Sequence, residues 1–308
     1  MFKKYAWAIC YTAILICFTV YISLDTFVIK RVYSAVPSDE SDAGQQQYSS
    51  AVTDDTVPQT TPALPNETEN SYSDKNIEIT LTEYREYDTS IYVADINISS
   101  SEYLKTAFAE DSYGRNVTEK TSEIAQSQDA ILAINGDFYG SQQSGYVIRN
   151  GVLYRDTPKS DQQDLVIYSD GSFDIILEQQ TTAEQLMLDG AVQVLSFGPA
   201  LVEDGRVTVS QNDEVGKAMA SNPRTAIGII EQGHYIFVVS DGRTSQSEGL
   251  SLSQLAEFMQ GLGVKTAYNL DGGGSSTMYF NGEVVNNPTT NGRSIKERSV
   301  SDIVYIGY

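Results

Sequence analysis

The segment NLDGGGSST (269–277) combines side chains and backbone groups that could bind a charged ligand. Asp271 supplies a carboxylate, three glycines follow it, and Ser275 adds a hydroxyl. Successive glycines allow neighbouring backbone N–H groups to point into one concavity, which binds anions. No lysine follows, so the segment is not a P-loop, and its glycine spacing does not fit a dinucleotide-binding turn. A tight glycine turn with a capping Asp is the alternative interpretation.

Three further segments place polar side chains where apolar strands are predicted to begin or end. Arg224 enters the apolar segment PRTAIG, Asp137 lies in AINGDFY, and Asp241 lies in VVSDGR. A fixed Arg fork is the expected partner of a phosphate, although a structural ion pair in an acidic domain would also explain Arg224. Asp137 and Asp241 each stand beside a glycine and are equally compatible with turn positions. His234 is the only histidine, so a Ser-His-Asp triad would require Asp and Ser to converge on it.

The elements that must position these side chains are mostly strands. Alternating apolar and polar residues at 77–82 and 91–96 predict two of them. Later apolar runs are separated by four dipeptides that supply the positive φ of tight hairpin turns: Asn150-Gly151, Asp170-Gly171, Asp204-Gly205 and Asn281-Gly282. Helices are predicted at 119–128 and 251–262, each leading into a strand. The patterns predict an α+β fold, with one β-rich domain of hairpins and a few helices over residues 76–308.

A long apolar run precedes this domain. Tyr5 to Leu24 is a stretch of 20 residues without a charge, and as a helix it would span about 30 Å, the thickness of the hydrocarbon core. A cleaved signal peptide is the alternative, but its apolar stretch is normally about 7–15 residues. We therefore predict a cytoplasmic tip and transmembrane signal anchor over residues 1–33. The Ser-, Thr-, Pro- and acid-rich composition of residues 34–75 predicts a disordered acidic stalk.

Charge and cysteine content exclude several functional classes. The 308 residues carry a net charge of −21, of which 15 basic and 32 acidic side chains leave −17 on residues 76–308. Such an excess argues against a nucleic acid as partner, because phosphate backbones require Lys and Arg. With one His, and with both cysteines, Cys10 and Cys17, inside the apolar run, most zinc sites and a disulfide framework are excluded.

Taken together, the chemical segments resemble the phosphodiester glycosidase family. The matching stretches are AINGDFY (133–139), FGPALVEDG (197–205), PRTAIG (223–228), VVSDGR (238–243) and NLDGGGSSTM (269–278). They occur in the family's order, from about residue 80 to the C-terminus, and Arg298 in ERSV also fits the family's last strand. The pair NLDGGGSST and PRTAIG is specific, whereas either segment alone would be a weak signal.

This resemblance implies hydrolysis of a sugar-1-phosphodiester at the anomeric carbon. Glycosidases meet the positive charge on the sugar ring with two carboxylates, here Asp271 and Asp241. Arg224 is the third expected catalytic residue, acting on the negative charge of the departing phosphate. The residues expected to hold sugar hydroxyls or phosphate oxygens are Asn135, Asp137, Gly272, Gly273, Gly274, Ser275, Thr277 and Arg298. Asp137 is placed in this binding group because some family members have Gly at its position.

The resulting hypothesis is a membrane-anchored, extracytoplasmic hydrolase of a bacterium, crossing the cell membrane once with its N-terminus in the cytoplasm. Its expected partners are the membrane, through the N-terminal helix, and a carbohydrate phosphodiester or envelope glycopolymer, but no nucleic acid. No cofactor and no metal site are expected. A non-catalytic polysaccharide-binding protein is the alternative, since 20 Tyr leave room for a sugar-binding face. A calcium-dependent hydrolase, with a divalent cation, is a further alternative suggested by the many Asp, although no DxDxDG loop occurs.

Overall fold

The fold was analysed in a computed structural model, which describes residues 2–35, 65–209 and 221–308. The helices are α1 (Phe2–Phe27), α2 (Thr121–Ser127), α3 (Ala183–Leu188) and α4 (Leu252–Gly261). The strands are β1 (Arg31–Ala35), β2 (Asn66–Thr68), β3 (Ser71–Ser73), β4 (Ile77–Glu86), β5 (Thr89–Ile98), β6 (Leu104–Phe108), β7 (Ser112–Arg115), β8 (Leu132–Asn135), β9 (Val147–Arg149), β10 (Val152–Arg155), β11 (Gln163–Tyr168), β12 (Phe173–Leu177), β13 (Ala191–Leu195), β14 (Ala200–Glu203), β15 (Arg206–Val207), β16 (Arg224–Glu231), β17 (His234–Ser240), β18 (Thr266–Asn269), β19 (Met278–Phe280), β20 (Glu283–Val284) and β21 (Asp302–Ile306). The predicted α+β class is confirmed.

The strands form three larger sheets and one small antiparallel pair. A nine-stranded sheet has the order β15-β14-β18-β16-β17-β5-β4-β3-β2, and two five-stranded sheets have the orders β20-β19-β8-β21-β6 and β10-β9-β13-β11-β12. β1 pairs with β7. The four predicted dipeptide turns join β9 to β10, β11 to β12, β14 to β15 and β19 to β20, and the glycine of each has a positive φ. Local turn chemistry therefore fixes four of the hairpins.

The central strand β17 is buried on both faces, which explains its unbroken apolar sequence. Tyr235, Phe237 and Val239 face the main core, where the three larger sheets meet. Ile236 and Val238 face a second core beneath α4. Because a strand alternates its side chains between two faces, both faces must be apolar when both are covered.

Helix α4 begins where the sequence predicts it. The Ser251 hydroxyl accepts a hydrogen bond from the Gln254 amide at 3.1 Å, and the Gln254 side chain accepts one from the Ser251 amide at 2.9 Å. This reciprocal capping box satisfies two backbone donors that the helix itself leaves free. Leu255 and Met259, one helical turn apart, then pack into the second core.

The structure differs from the predicted stalk at both of its ends, and the part at 36–64 lies outside the described residues. β1 includes residues 34 and 35, and the hairpin of β2 and β3 extends the nine-stranded sheet. Tyr72 is buried, and its hydroxyl donates to Asp74 at 2.7 Å. Asp74 also accepts from the amides of Asn76 and Ile77. One buried tyrosine and one turn stabilised by a carboxylate involve too few residues to change the average composition of the segment. The disorder predicted from that composition therefore extended too far towards residue 75.

Helix α1 is long and apolar enough to cross a membrane from Cys10 to Phe27, with a mean hydropathy of 1.6. A signal sequence near an N-terminus meets the same criteria. The predicted helix is therefore confirmed, and its retention as an anchor stays a prediction.

Candidate active site

The chemical segments recognised in the sequence converge at one end of two sheets. β16 begins with Arg224 opposite the last residue of β17, and the end of β8 pairs with the start of β21. The Asp271 amide donates to the carbonyl of Gly136 at 3.2 Å, and the Gly273 amide donates to the carbonyl of Pro223 at 2.8 Å. These two bonds join the nine-stranded sheet to the sheet that contains β8 and β21. Four loops from distant parts of the chain thereby form one surface.

The glycine loop, Asp271 to Ser276, is packed too closely for side chains at two of its glycines. Gly273 has a φ of +63°, and a Cβ there would lie 2.8 Å from Nη2 of Arg243. A Cβ at Gly274 would overlap the side-chain hydroxyl of Thr290. The glycines are thus needed for a left-handed backbone and for the close approach of neighbouring groups. Since the Gly273 amide is already bonded to Pro223, the positive charge that an arriving anion would meet at this loop comes from the arginines beside it.

Asp271 and Arg298 form an ion pair at the rim of the loop. Oδ2 of Asp271 lies 3.1 Å from Nη2 of Arg298, and the guanidinium also donates to the Ser275 hydroxyl at 2.5 and 3.0 Å. The Asp271 side chain is 13% exposed and that of Arg298 is 41% exposed. Burial raises the pKa of the Asp271 carboxyl, opposed by the hydrogen bond from Ser275 and by the charge of Arg298. The carboxylate is therefore desolvated but open to a ligand beside an accessible cation.

Arg243 lies on the other face of the glycine loop, and the sequence interpretation did not select it. Its guanidinium donates to Oδ1 of Asn222 at 3.0 and 3.2 Å and to the carbonyl of Thr290 at 2.6 Å. Within the described ranges, no carboxylate lies within salt-bridge distance of it. Its φ of +62° is uncommon for a residue with a side chain. An exposed arginine held by neutral acceptors in an acidic domain is a suitable partner for an anion.

Arg224 approaches the loop from beneath. The side chain is buried, its Nε donates to the carbonyl of Leu250 at 2.9 Å, and its backbone amide donates to the Ser240 hydroxyl at 3.0 Å. Its Cδ lies 3.9 Å from the position that a Cβ at Gly272 would take. The predicted residue Arg224 therefore does reach the glycine loop. Together with Arg243 and Arg298, it makes three arginines beside this loop.

Asp241, the second predicted carboxylate, lies behind the loop and is held by asparagine amides. Oδ1 accepts from the Asn287 amide at 2.8 Å, and Oδ2 accepts from the Asn287 side chain at 2.9 Å. Asn286 joins it to the glycine loop, donating to Asp241 at 3.3 Å and to the carbonyl of Ser276 at 3.0 Å. Burial and the charge of Asp241 together raise the pKa of the Tyr92 hydroxyl. One side chain, Asn286, therefore connects the second carboxylate to the loop that carries the first.

Asn135 connects three segments of the site. Its Nδ2 donates to the carbonyl of Asp271 at 2.6 Å, while its Oδ1 accepts from the Thr225 hydroxyl at 2.8 Å and from the Thr277 amide at 3.2 Å. Asn135 is fully buried, as is Thr277, whose hydroxyl has no partner among the residues that the structure describes. In this state Asn135 holds the backbone beneath the carboxylate, and the Thr277 hydroxyl is a free hydrogen-bonding group.

Asp137 belongs to a buried ion cluster beneath the surface. Oδ2 of Asp137 and Oδ2 of Asp302 each lie 2.8 Å from Nη2 of Arg149. Burial and the charge of Asp137 raise the pKa of the Asp302 carboxyl to about 8, opposed by Arg149. A Cβ at Gly136 would overlap the Asp302 carboxyl, which accounts for the glycine. Neither Arg149 nor Asp302 stands out in its own segment, because the cluster forms only when distant strands meet.

A second buried carboxyl pair lies beside this cluster. Burial and the charge of Glu178 raise the pKa of Asp164 to about 9, so Asp164 is protonated at neutral pH. Glu178 accepts from the Tyr146 amide at 2.9 Å and from the Ser196 hydroxyl at 3.1 Å, and the Ser196 amide in turn donates to Asp137 at 2.9 Å. The two clusters form one buried polar framework below the Gly136–Asp137 turn.

His234 lies far from this site, at the opposite end of β17. Its Nε2 is 2.8 Å from Oδ1 of Asp95, and it borders a surface cavity of about 280 Å³ that also touches Asp74 and Glu231. None of the described residues lining that cavity belongs to the glycine loop. The histidine is thus separated from the predicted chemistry. Throughout the described ranges, no group of three or more His, Cys, Asp and Glu side chains is arranged to hold a metal ion.

The sequence of this chain is similar to those of several known proteins. The chain is 28% identical over 201 residues to an SPbeta prophage-derived uncharacterized protein of Bacillus subtilis, covering 64% of this chain and 31% of that protein. It is 29% identical over 175 residues to the mouse N-acetylglucosamine-1-phosphodiester alpha-N-acetylglucosaminidase, covering 51% and 33%, and 29% identical over 183 residues to the human enzyme, covering 54% and 35%. The chain therefore spans about a third of the length of these relatives.

Two solved structures share the fold. The zebrafish N-acetylglucosamine-1-phosphodiester alpha-N-acetylglucosaminidase catalytic domain, auto-inhibited by its pro-peptide, aligns with a TM-score of 0.60 at 21% identity, covering 75% of this chain and 83% of that one. A hypothetical protein from Synechocystis aligns with a TM-score of 0.54 at 15% identity, covering 76% and 62%. The profile of the phosphodiester glycosidase family matches residues 128–307, which include every residue of the predicted site. The chain accordingly belongs to the phosphodiester glycosidase family.

Proposed function

We propose that this protein is a membrane-anchored, extracytoplasmic hydrolase that cleaves a sugar-1-phosphodiester, such as an N-acetylglucosamine-1-phosphodiester, in cell-envelope glycopolymers. The observation that carries the proposal is the glycine loop with a desolvated carboxylate, Asp271, and three arginines around it. Family membership supports the reaction class, and the activity for which the mouse and human relatives are named supports the choice of sugar.

The charges around the loop match those that the reaction develops. As the bond between the anomeric carbon and the phosphate oxygen breaks, the ring becomes positive and the phosphate takes the electron pair. Asp271 is the carboxylate positioned to face the ring, and its partial burial strengthens that interaction. Arg298 and Arg243, on opposite faces of the loop, receive the phosphate, and Arg224 supports it from below.

Water completes the reaction at the anomeric carbon. Its oxygen bonds to the carbon, its proton passes to a carboxylate, and the products are the free sugar and a phosphomonoester. Asp241 is the proposed second carboxylate, connected to the loop through Asn286. A phosphodiester oxygen is a fair leaving group, so strong proton donation to it is not required. Ser275 and Thr277 are fully buried and act on the substrate indirectly: the Ser275 hydroxyl holds Arg298, and the Thr277 amide donates to Asn135, which together with Asp137 holds the backbone of the site.

The N-terminal helix supports the proposed location. Lys3 and Lys4 precede the span, but Lys30 and Arg31 follow it, so the proposed orientation, with the N-terminus in the cytoplasm and the site outside, rests on the long acidic domain after the span, since long domains translocate largely regardless of charge. No cysteine occurs after Cys17, so the exported domain is held together by its cores and sheets and not by disulfides.

The test uses the full-length chain in detergent micelles with two substrates, UDP-N-acetylglucosamine and the methyl phosphodiester of α-N-acetylglucosamine-1-phosphate. Free N-acetylglucosamine is measured over time for the wild type, for Asp271→Asn, and for Asp170→Asn, a matched change in an exposed hairpin turn. We expect release of the sugar that Asp271→Asn slows by roughly a hundredfold or more and that Asp170→Asn leaves unchanged. Stable binding of an envelope polysaccharide without any release would favour the alternative of a non-catalytic binding protein.

A further inference from the structure

The end of the membrane helix is bonded directly to the folded domain. The carbonyl of Thr26, in the last turn of α1, accepts hydrogen bonds from Nη2 of Arg115 at 3.1 Å and from Nδ2 of Asn116 at 3.2 Å. Asn116 also donates to the carbonyl of Ile29 at 3.1 Å. Lys30 then forms an ion pair with Glu110. The first residues beyond the span are therefore fixed to the domain surface.

Strand β1 continues this attachment. It pairs antiparallel with β7, from Arg31 opposite Arg115 to Ala35 opposite Ser112. A Cβ at Gly114 would overlap the carbonyl oxygen of Arg31, so β7 carries a glycine where β1 approaches most closely. The Tyr33 and Tyr113 rings also meet, with their centres 5.8 Å apart. Backbone pairing, a fitted glycine and a ring contact together make β1 a docking strand.

Two routes of direct contact lead from this docking strand to the active site. In the first, Glu110 follows Ala109, whose amide donates to the carbonyl of Ser301 at 2.9 Å. In the second, the Asn116 amide donates to the carbonyl of Gly140 at 3.2 Å, and Gly140 packs against Ser301. Both routes end at Ser301, three residues from Arg298. Summing the reach of backbone and side chains along the second route places the Cα atoms of Thr26 and Arg298 at most roughly 30 Å apart.

The predicted stalk therefore does not separate the domain from the membrane. Residues 36–64 connect β1 to β2, and both of these strands are paired within the folded domain. The length of that segment has no influence on the distance between α1 and the site. The acidic domain is repelled by anionic lipids only within about one Debye length, near 10 Å. The distance of the domain from the bilayer is therefore set by its attachment to α1 and not by binding of the domain surface to lipids.

We infer that the glycine loop acts within roughly 30 Å of the bilayer on a sugar-1-phosphodiester that is attached to a lipid. This inference rests on the proposed function and names its substrate class. A substrate that shares the membrane with the enzyme is confined to the layer where this site lies. A polymer fixed to the wall farther out lies beyond its reach.

The experiment places the same 20-residue Gly/Ser spacer at two positions of the full-length chain. One variant carries it between Leu24 and Asp25, so that Thr26, Ile29 and β1 stay bonded to the domain while all of them are separated from the apolar run that ends at Leu24. The control carries it between Ser50 and Ala51, after the docking strand. Such a spacer has an average end-to-end distance of about 25 Å. Both proteins are reconstituted in vesicles of phosphatidylglycerol and phosphatidylethanolamine, with the hexadecyl phosphodiester of α-N-acetylglucosamine-1-phosphate as anchored substrate and its methyl counterpart as soluble substrate.

The distance is measured separately by energy transfer from a dye on Ile295→Cys to a labelled lipid, in a background with Cys10 and Cys17 replaced by Ser. We expect the spacer after Leu24 to lower both energy transfer and hydrolysis of the hexadecyl substrate at least threefold, with the methyl substrate unaffected. The spacer after Ser50 should change neither the energy transfer nor the hydrolysis of either substrate. Equal effects of the two spacers, or no effect of the first, would overturn the inference. If neither substrate is hydrolysed by the wild type, the proposed function fails, while energy transfer still decides the position of the site.

Discussion

Replacing Asp271 by Asn removes the charge that the mechanism depends on while keeping the shape of the side chain. A carboxylate about 4 Å from a developing ring cation, at the effective dielectric constant of about 20 suited to a partly buried pair, contributes about 4 kcal/mol. That value corresponds to roughly a thousandfold in rate. Arg298 shares the carboxylate, so we expect a loss between about a hundredfold and a thousandfold.

The same substitution should not unfold the protein. Burial raises the pKa of Asp271, so the folded state binds its proton more tightly than the unfolded state does. The carboxyl therefore contributes most to stability below its unfolded pKa, and this contribution is lost as the pH rises through the folded pKa. Asp271→Asn should flatten that dependence and leave the stability at neutral pH equal or slightly higher.

The assay combines initial rates of sugar release with chemical denaturation followed by fluorescence at several pH values. A rate within tenfold of the wild type in a folded Asp271→Asn protein would refute the assignment of this carboxylate. A variant that unfolds at neutral pH would instead contradict the reading of Asp271 as a desolvated, functionally placed charge. Arg298→Gln, measured alongside, tests whether the partner cation contributes to turnover in addition to positioning the carboxylate.

Three other substitutions test separate parts of the structure. Arg243→Ala should lower the rate of sugar release tenfold or more, with Arg206→Ala, at an exposed position in β15, as a matched control; equal rates for the two would remove Arg243 from the site. Asp302→Asn should abolish a loss of stability that the wild type shows as the pH rises through about 8, because the raised pKa means that ionising Asp302 opposes folding; unchanged pH profiles of unfolding would contradict this. Ser251→Ala should reduce the free energy of unfolding by about 1 kcal/mol without altering turnover, since it removes only the cap of α4; a large loss of activity would show that α4 does more than support β17.

Local chemistry made part of this structure predictable. Asn-Gly and Asp-Gly dipeptides define their hairpins within four residues, and the Ser251 capping box defines the start of α4, so no distant contact is needed for either. The glycine loop was identifiable because three consecutive glycines are too costly for a strand end without a reason. Arg224 was identifiable because an arginine inside an apolar strand must have a partner.

The remaining features depend on contacts that no local pattern contains. Arg149 and Asp302 lie on different sheets and meet only when both sheets are formed, so neither stood out in its own segment. Arg243 does not stand out in its segment because its place beside the glycine loop depends on a φ of +62° and on contacts with Asn222 and Thr290, which are distant in sequence. The attachment of β1 to β7 escaped prediction for a similar reason, since the five exposed residues that follow the long apolar helix carry no apolar alternation.

The position of β17 has a consequence for how the protein is made. This strand pairs on one side with its hairpin partner β16. On the other side it pairs with β5, where His234 lies opposite Asn97 and Ser240 opposite Ile91. Until the chain has been synthesised as far as residue 240, the edge of β5 that pairs with β17 has no partner, and such apolar edges invite association between chains. Contacts of this sequence separation also slow folding. The nine-stranded sheet is therefore completed only after β17 has been synthesised, and β5 stays open to other chains until then.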